Sequence, residues 1–199
     1  ISAQDLRALH TSAVRACDAK VSVVGAVTRA QADAMVQRLL ARLPNTTCTA
    51  RAPVPEVAPL AAATEQRIAF AAPQAHLLLG QPGYKRNDPD FLALTVGNHI
   101  LGGGGFTSRL TQEVREKRGL TYGVGSSFSP GLHAGAFTIG LQTRPDQAQQ
   151  ALDLVRKVLA KFVTEGPTEQ ELQAAKDNLI GGFALRLDSN GKLLGNVAN

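Results

Sequence analysis

Four consecutive glycines, Gly102 to Gly105, separate an apolar helical pattern from a basic one. No other feature constrains the fold of this chain as strongly. Glycine inside a regular element costs about 0.5–1 kcal/mol relative to alanine, through backbone entropy. Four together therefore predict a hinge or a tightly turned connection. The following residues, Ser108 to Arg118, place Leu110 and Val114 at helical spacing, with Arg109, Glu113, Arg115, Glu116, Lys117 and Arg118 around them. Gly119 stands where a helix would end, and Thr121 to Phe128 reads as a strand. Arg115 and Tyr122 thus fall at a helix end and on the next strand. A guanidinium and a phenol so placed can converge on one polar substrate group.

The rest of the pattern divides the chain. Ser2 and Asp5 read as a capping pair for a helix to about Thr11. Lys20 to Val27 is a β-branched run, expected as a buried strand. Thr28 and Gln31 form a capping box that opens a helix burying Ala32, Met35, Val36, Leu39, Leu40 and Leu43, up to Pro44. Pro53, Pro55 and Pro59 mark residues 53–63 as a linker. Residues 1–52 are then the β-α end of a preceding unit plus the start of that linker, and residues 64–199 a second unit. The second unit is expected to hold strands at Gln66–Ala71, His76–Gly80, Thr121–Phe128 and Gly135–Thr143. Its helices are expected from Asp88-Pro89, from Pro145 to about Glu165, and from Thr168 to about Asp188, the last with Thr168 and Glu171 as capping box. In Gly135–Thr143, Phe137, Ile139 and Leu141 alternate with Thr138, Gly140 and Gln142, so one face of an antiparallel sheet is covered. The stripe Leu172, Ala175, Leu179, Phe183 and Leu187 is wide enough to pack on it. The fold class is α+β, an antiparallel sheet backed by helices on one face.

Several chemistries find no support in these residues. A net charge of +5, with its one basic cluster interleaved with glutamates, does not make a nucleic-acid stripe. No run approaches the roughly 18 apolar residues of a membrane span. The opening ISAQDLRALH lacks a signal-peptide pattern, and both ends read as a piece of a longer protein. The glycine run lacks the G-K-[ST] of a phosphate loop. His10, His76, His99 and His133 have no partner at metal-ligand spacing, so no zinc motif is present. Neither a serine or cysteine nucleophile with a base nor a glycosidase-like carboxylate pair can be argued. Cys17 and Cys48 fall at the same end of a strand-helix unit. A disulfide there is geometrically possible and would imply an oxidising compartment, although the reading favours two unpaired thiols. A periplasmic location would fit a disulfide, and a cytoplasmic one stays open.

The segment LGGGGFTSRLTQEVREKRGLTYGV closely resembles the second half-domain of the pitrilysin/insulinase-type zinc peptidases, the group that includes the mitochondrial processing peptidase. VSVVGAVTRAQADAMVQRLLARLP resembles the end of that family's preceding half-domain. GQPGYKRNDPDFLALTVGNHILGGGG and GPTEQELQAAKDNLIGGFALRLDSN resemble its helices. The resemblance implies a half-domain of the LuxS/mitochondrial processing peptidase-like metallohydrolase fold, zinc-free and inactive by itself. It implies that Arg115 and Tyr122 enter a catalytic chamber whose zinc belongs to another half-domain or a homologous subunit. Gly102, Gly103, Gly104 and Gly105 would be the hinge beside that chamber, and the substrate an unfolded peptide. Arg109 would be a packing or salt-bridge residue. A non-catalytic homologue that serves only assembly or peptide binding is the alternative the resemblance leaves.

Overall fold

In the computed structural model, which describes residues 1–43, 50 and 53–198, the central strand of the sheet organises the larger part of the chain. This strand, β3 (Ala136–Thr143), pairs antiparallel with β1 (Ala75–Pro82) on one side and β2 (Val124–Phe128) on the other. Its alternation is as the sequence predicts. Phe137, Ile139 and Leu141 are buried, whereas Gln142 is exposed and Thr138 and Gly140 half-buried. Over the buried face lies α4 (Ala148–Glu165), which contributes Ala151, Val155 and Val158 to the core. Leu101, Leu110, Val114 and Leu120 complete it. Each such aliphatic side chain withdrawn from water stabilises the fold by about 1.5–3 kcal/mol. Tyr84, Phe91, Phe128 and Phe137 form an aromatic chain at one end, with successive ring centroids 4.7–5.9 Å apart.

The glycine run joins this core in an unexpected way. Helix α3 (Phe91–Asn98) does not stop before it but widens into a π-helical turn, His99–Gly103. The Gly104 amide donates to the carbonyl of His99, five residues back, at 2.8 Å. Gly102 is buried against β2: a Cβ there would lie 2.5 Å from the Ser126 amide nitrogen and 2.8 Å from Leu110. Asn98 seals the same contact, since Ser126 Oγ donates to its Oδ1 (2.7 Å) and its Nδ2 donates to the Ser126 carbonyl (3.2 Å). The entropic cost of glycine in a wound segment is thus offset by an approach of helix to strand that no larger residue permits. Only Gly105, at φ +63°, needs the left-handed region. After it the basic segment winds as a second π-helical stretch, Thr111–Glu116, marked by the Lys117 amide donating to the Gln112 carbonyl at 3.0 Å. Gly119 ends it at φ +61°, as its position in the sequence predicts.

Other expectations change. Helix α3 starts at Phe91 rather than at Pro89, because Asp88 caps a preceding turn by accepting from the Asp90 amide at 2.9 Å. β2 begins at Val124, because Thr121 turns its hydroxyl to the Gly123 and Gln142 carbonyls and leaves Tyr122 in a bend. Residues 66–71 form no strand, and Ile68 and Phe70 are exposed. The last expected helix is shorter: α5 (Glu169–Gly181) stops at the Gly181–Gly182 pair, a short turn spans Ala184–Arg186, and a separate helix, α6 (Asn190–Ala198), lies beyond the expected end at about Asp188. The Thr168/Glu171 capping box forms as expected. However, only Ala175 of the predicted stripe is buried, and α4, not α5, covers the sheet.

The chain separates into two compact units, residues 55–180 and residues 1–54 with 181–199. In the latter, α1 (Ala3–Ala13) and α2 (Arg29–Leu40) carry the Ser2/Asp5 and Thr28/Gln31 capping boxes read from the sequence. The α2 stripe is not buried, with Met35 and Leu39 about half-exposed. Lys20–Val27 also forms no strand. A β-branched run specifies extended backbone, but a strand exists only when a neighbour takes its hydrogen bonds, and none of the described residues does so. Cys17 is disulfide-bonded, contrary to the unpaired thiols expected. The chain's other cysteine, Cys48, and the expected helix stop at Pro44 lie outside the described residues.

Gly102→Ala should destabilise the chain by about 1–3 kcal/mol, the usual range for overpacking a tight contact. Urea denaturation measures this, and a loss below about 0.5 kcal/mol would show that Gly102 does not hold helix and strand together.

Candidate functional site

The basic segment carries four cations on about two turns, and the structure gives them different fates. Arg109 is clamped: its Nε and an Nη donate to the Glu171 carboxylate at 2.6 and 2.7 Å, and it also donates to the Gly166 carbonyl at 2.9 Å. The Phe162 ring lies 5.1 Å from its guanidinium carbon. This is the salt-bridge role expected from the sequence. Lys117 and Arg118 both pair with Glu113, at 2.6 and 2.7 Å. These contacts, Lys117 first, hold the Glu113 pKa below its ordinary value. Arg115 is the exception. Its one ion-pair partner among the described residues is the adjacent Glu116, at 3.6 Å, too long for a hydrogen bond. Its guanidinium instead lies over the Phe106 ring, 4.7 Å from the centroid, and none of its five N–H donors hydrogen-bonds to a described residue.

Tyr122 is the corresponding exception on the chain that follows. It is 91% exposed, while Leu120 and Thr121 before it are buried. Those neighbours are tied to the end of β3: Thr143 Oγ1 donates to the Leu120 carbonyl and Thr121 Oγ1 to the Gln142 carbonyl, both at 2.5 Å. No hydrogen bond from the phenol reaches a described residue. An aromatic residue displayed from a fixed backbone, with its hydroxyl unused, suits contact with another molecule.

The glycine run lies between these elements and α3. Its first residue is packed tightly, and its last leads into the turn Gly105–Thr107 that carries Phe106. Phe106 is absent from the residues singled out in the sequence, although its place directly after the glycines and nine before Arg115 was available as a signal. The π-helical windings have no sequence signature, yet such windings recur at functional sites. The donors for zinc do not fit: among the described residues no three of His, Cys, Asp and Glu come together, and His133 is engaged with Glu56 at 3.1 Å.

Comparison with other proteins gives the family of the chain. The family model for the peptidase M16 inactive domain matches residues 1–179. The chain belongs to this family. Among its relatives, an uncharacterized zinc protease of Streptomyces coelicolor is 40% identical over 124 residues, 62% of this chain and 27% of that protein. A protein of Helicobacter pylori named as a non-peptidase homolog is 34% identical over 129 residues, 63% of this chain and 29% of the other. The crystal structure of a peptidase M16 inactive domain from Pseudomonas fluorescens superposes with a TM-score of 0.79 at 39% identity, covering 98% of this chain and 46% of that one. This M16 inactive domain therefore spans about a quarter to a third of the curated relatives it matches and about half of that solved chain.

In the M16 inactive domain the Arg109–Glu171 pair is a two-point ion pair beside the candidate site. Arg109, and secondarily Thr168, lower the Glu171 pKa from an ordinary 4.5 to about 2. A carboxyl whose folded pKa lies below its unfolded one adds stability above the unfolded value and loses it as pH falls toward the folded value. Glu171→Gln should cost about 1 kcal/mol at pH 7, allowing for solvent screening of a partly exposed pair. It should also flatten the decline in stability between about pH 4.5 and 2. Thermal melts of both proteins across that window provide the check, and parallel curves would contradict the assignment.

Proposed function

We propose that this M16 inactive domain completes the active site of a zinc peptidase, supplying Arg115 and Tyr122 to a chamber whose metal is bound by another half-domain or a homologous subunit. The observation that carries the reading is the uncommitted guanidinium of Arg115, in a segment where every other cation is neutralised at 2.6–2.7 Å. The exposed phenol of Tyr122 supports it. Hydrolysis of a peptide bond develops negative charge on the carbonyl oxygen. Donors held ready for that oxygen lower the barrier because they need no reorganisation when the charge appears. Arg115 through its free N–H groups and Tyr122 through its hydroxyl would donate to the substrate backbone and to the carbonyl oxygen gaining charge. Names of relatives as zinc proteases support the activity of the assembled protein. In this reading the chain hydrolyses nothing alone, the substrate is an unfolded peptide, and Gly102 to Gly105 border the chamber. Residues 1–52 end the preceding half-domain, 53–63 link, and 64–199 form the zinc-free half.

A second reading, a structural or peptide-binding homologue without catalysis, is favoured by the Helicobacter pylori relative named as a non-peptidase homolog. Peptide hydrolysis by the assembled protein separates the two. Arg115→Ala and Tyr122→Phe should each lower kcat/KM by about 10²–10³, the usual cost of removing one oxyanion donor. Unchanged kcat/KM in both variants would rule out the catalytic reading.

A further inference from the structure

We propose that Phe106 is a positioning residue for Arg115, holding the guanidinium over its ring so that the donors stay free for substrate. The inference rests on the reading of Arg115 given above. A carboxylate partner, such as those of Arg109, Lys117 and Arg118, would neutralise the charge and occupy N–H groups. An aromatic face attracts the same cation through its quadrupole and takes no donor. It fixes a guanidinium without consuming what the guanidinium is there to offer.

The surroundings of Phe106 fit this role. Burial does not hold the ring in place, since Phe106 is 65% exposed; its backbone does. The Phe106 carbonyl accepts from Gln112 Nε2 at 2.7 Å, Thr107 Oγ1 donates to the Gly104 carbonyl at 3.1 Å, and Ser108 Oγ donates to the Gly105 carbonyl at 2.8 Å. Gly105, at φ +63°, lets the chain turn back so that residue 106 reaches residue 115. Gln112 and Arg115 belong to the same π-helical stretch, so ring and guanidinium are tethered to one short piece of backbone. The last glycine of the run thereby acquires a specific task, the placement of this ring.

Steady-state peptide hydrolysis by the full-length protein assembled with its zinc-bearing half tests the proposal, using Phe106→Leu, Phe106→Tyr, Arg115→Ala and the Phe106→Leu/Arg115→Ala pair. Leucine keeps the apolar bulk and removes the π face; tyrosine keeps both. Phe106→Leu should lower kcat/KM about three- to five-fold, the scale of an exposed cation–π contact acting on a substrate donor. Phe106→Tyr should behave as the parent, and Phe106→Leu should cost nothing further once Arg115 is alanine. If Arg115→Ala is damaging but Phe106→Leu is silent, or costs the same in both backgrounds, the role of Phe106 is overturned and that of Arg115 stands. If Arg115→Ala is itself silent, both fall.

Discussion

The burial of one face of β3 sets the position of everything that could act on a substrate. Ile139 and Leu141 are at most 1% exposed, and Leu110, Val114, Ala151 and Val155 are fully buried in the same core. Because Val114 must enter that core, its neighbour Arg115 is rotated toward the surface by the winding of the helix. Because Leu120 and Thr121 are buried and stitched to Gln142 and Thr143, Tyr122 is turned outward. The two candidate side chains are therefore positioned by one strand, from two directions. Gly102 makes the arrangement dense enough to hold, bringing the preceding helix onto the backbone of β2.

Electrostatics then sorts the exposed cations. Arg109 is absorbed by Glu171, which also caps α5, so one carboxylate ties the basic segment to the start of a helix 62 residues later. Glu113 serves Lys117 and Arg118 together. Within the basic segment only Arg115 has no carboxylate of a described residue at hydrogen-bond distance, with an aromatic ring taking that place. A fully paired basic helix would be a solvated face with no further meaning; one cation left with its donors open is what distinguishes this one.

Much of this was readable in the residues because it rests on local rules. The three capping boxes at Ser2, Thr28 and Thr168, the glycine after the basic segment, and the alternation along β3 are patterns of a few consecutive residues. The strands read at Lys20–Val27 and Gln66–Ala71 did not form, since extended propensity does not supply a hydrogen-bonding neighbour. The stripe expected on the last long helix ran past Gly181, where α5 ends, and only Ala175 of it is fully buried. The contact between Phe106 and Arg115 depends on a turn and a π-helical winding that no short spacing rule describes.

The glycine run shows the division most clearly. The sequence by itself determined that glycine is needed somewhere in Gly102 to Gly105 for a turn, that a basic helix and a tyrosine follow, and that the chain is α+β. These follow from entropy, periodicity and capping, which act over a few residues. Tertiary structure decided that Gly102 is a close-packed contact, that α4 covers the sheet, and that Arg115, alone among the cations of the basic segment, keeps its donors clear of the described residues. Those outcomes depend on which residues distant in the chain meet, and only the assembled core selects them.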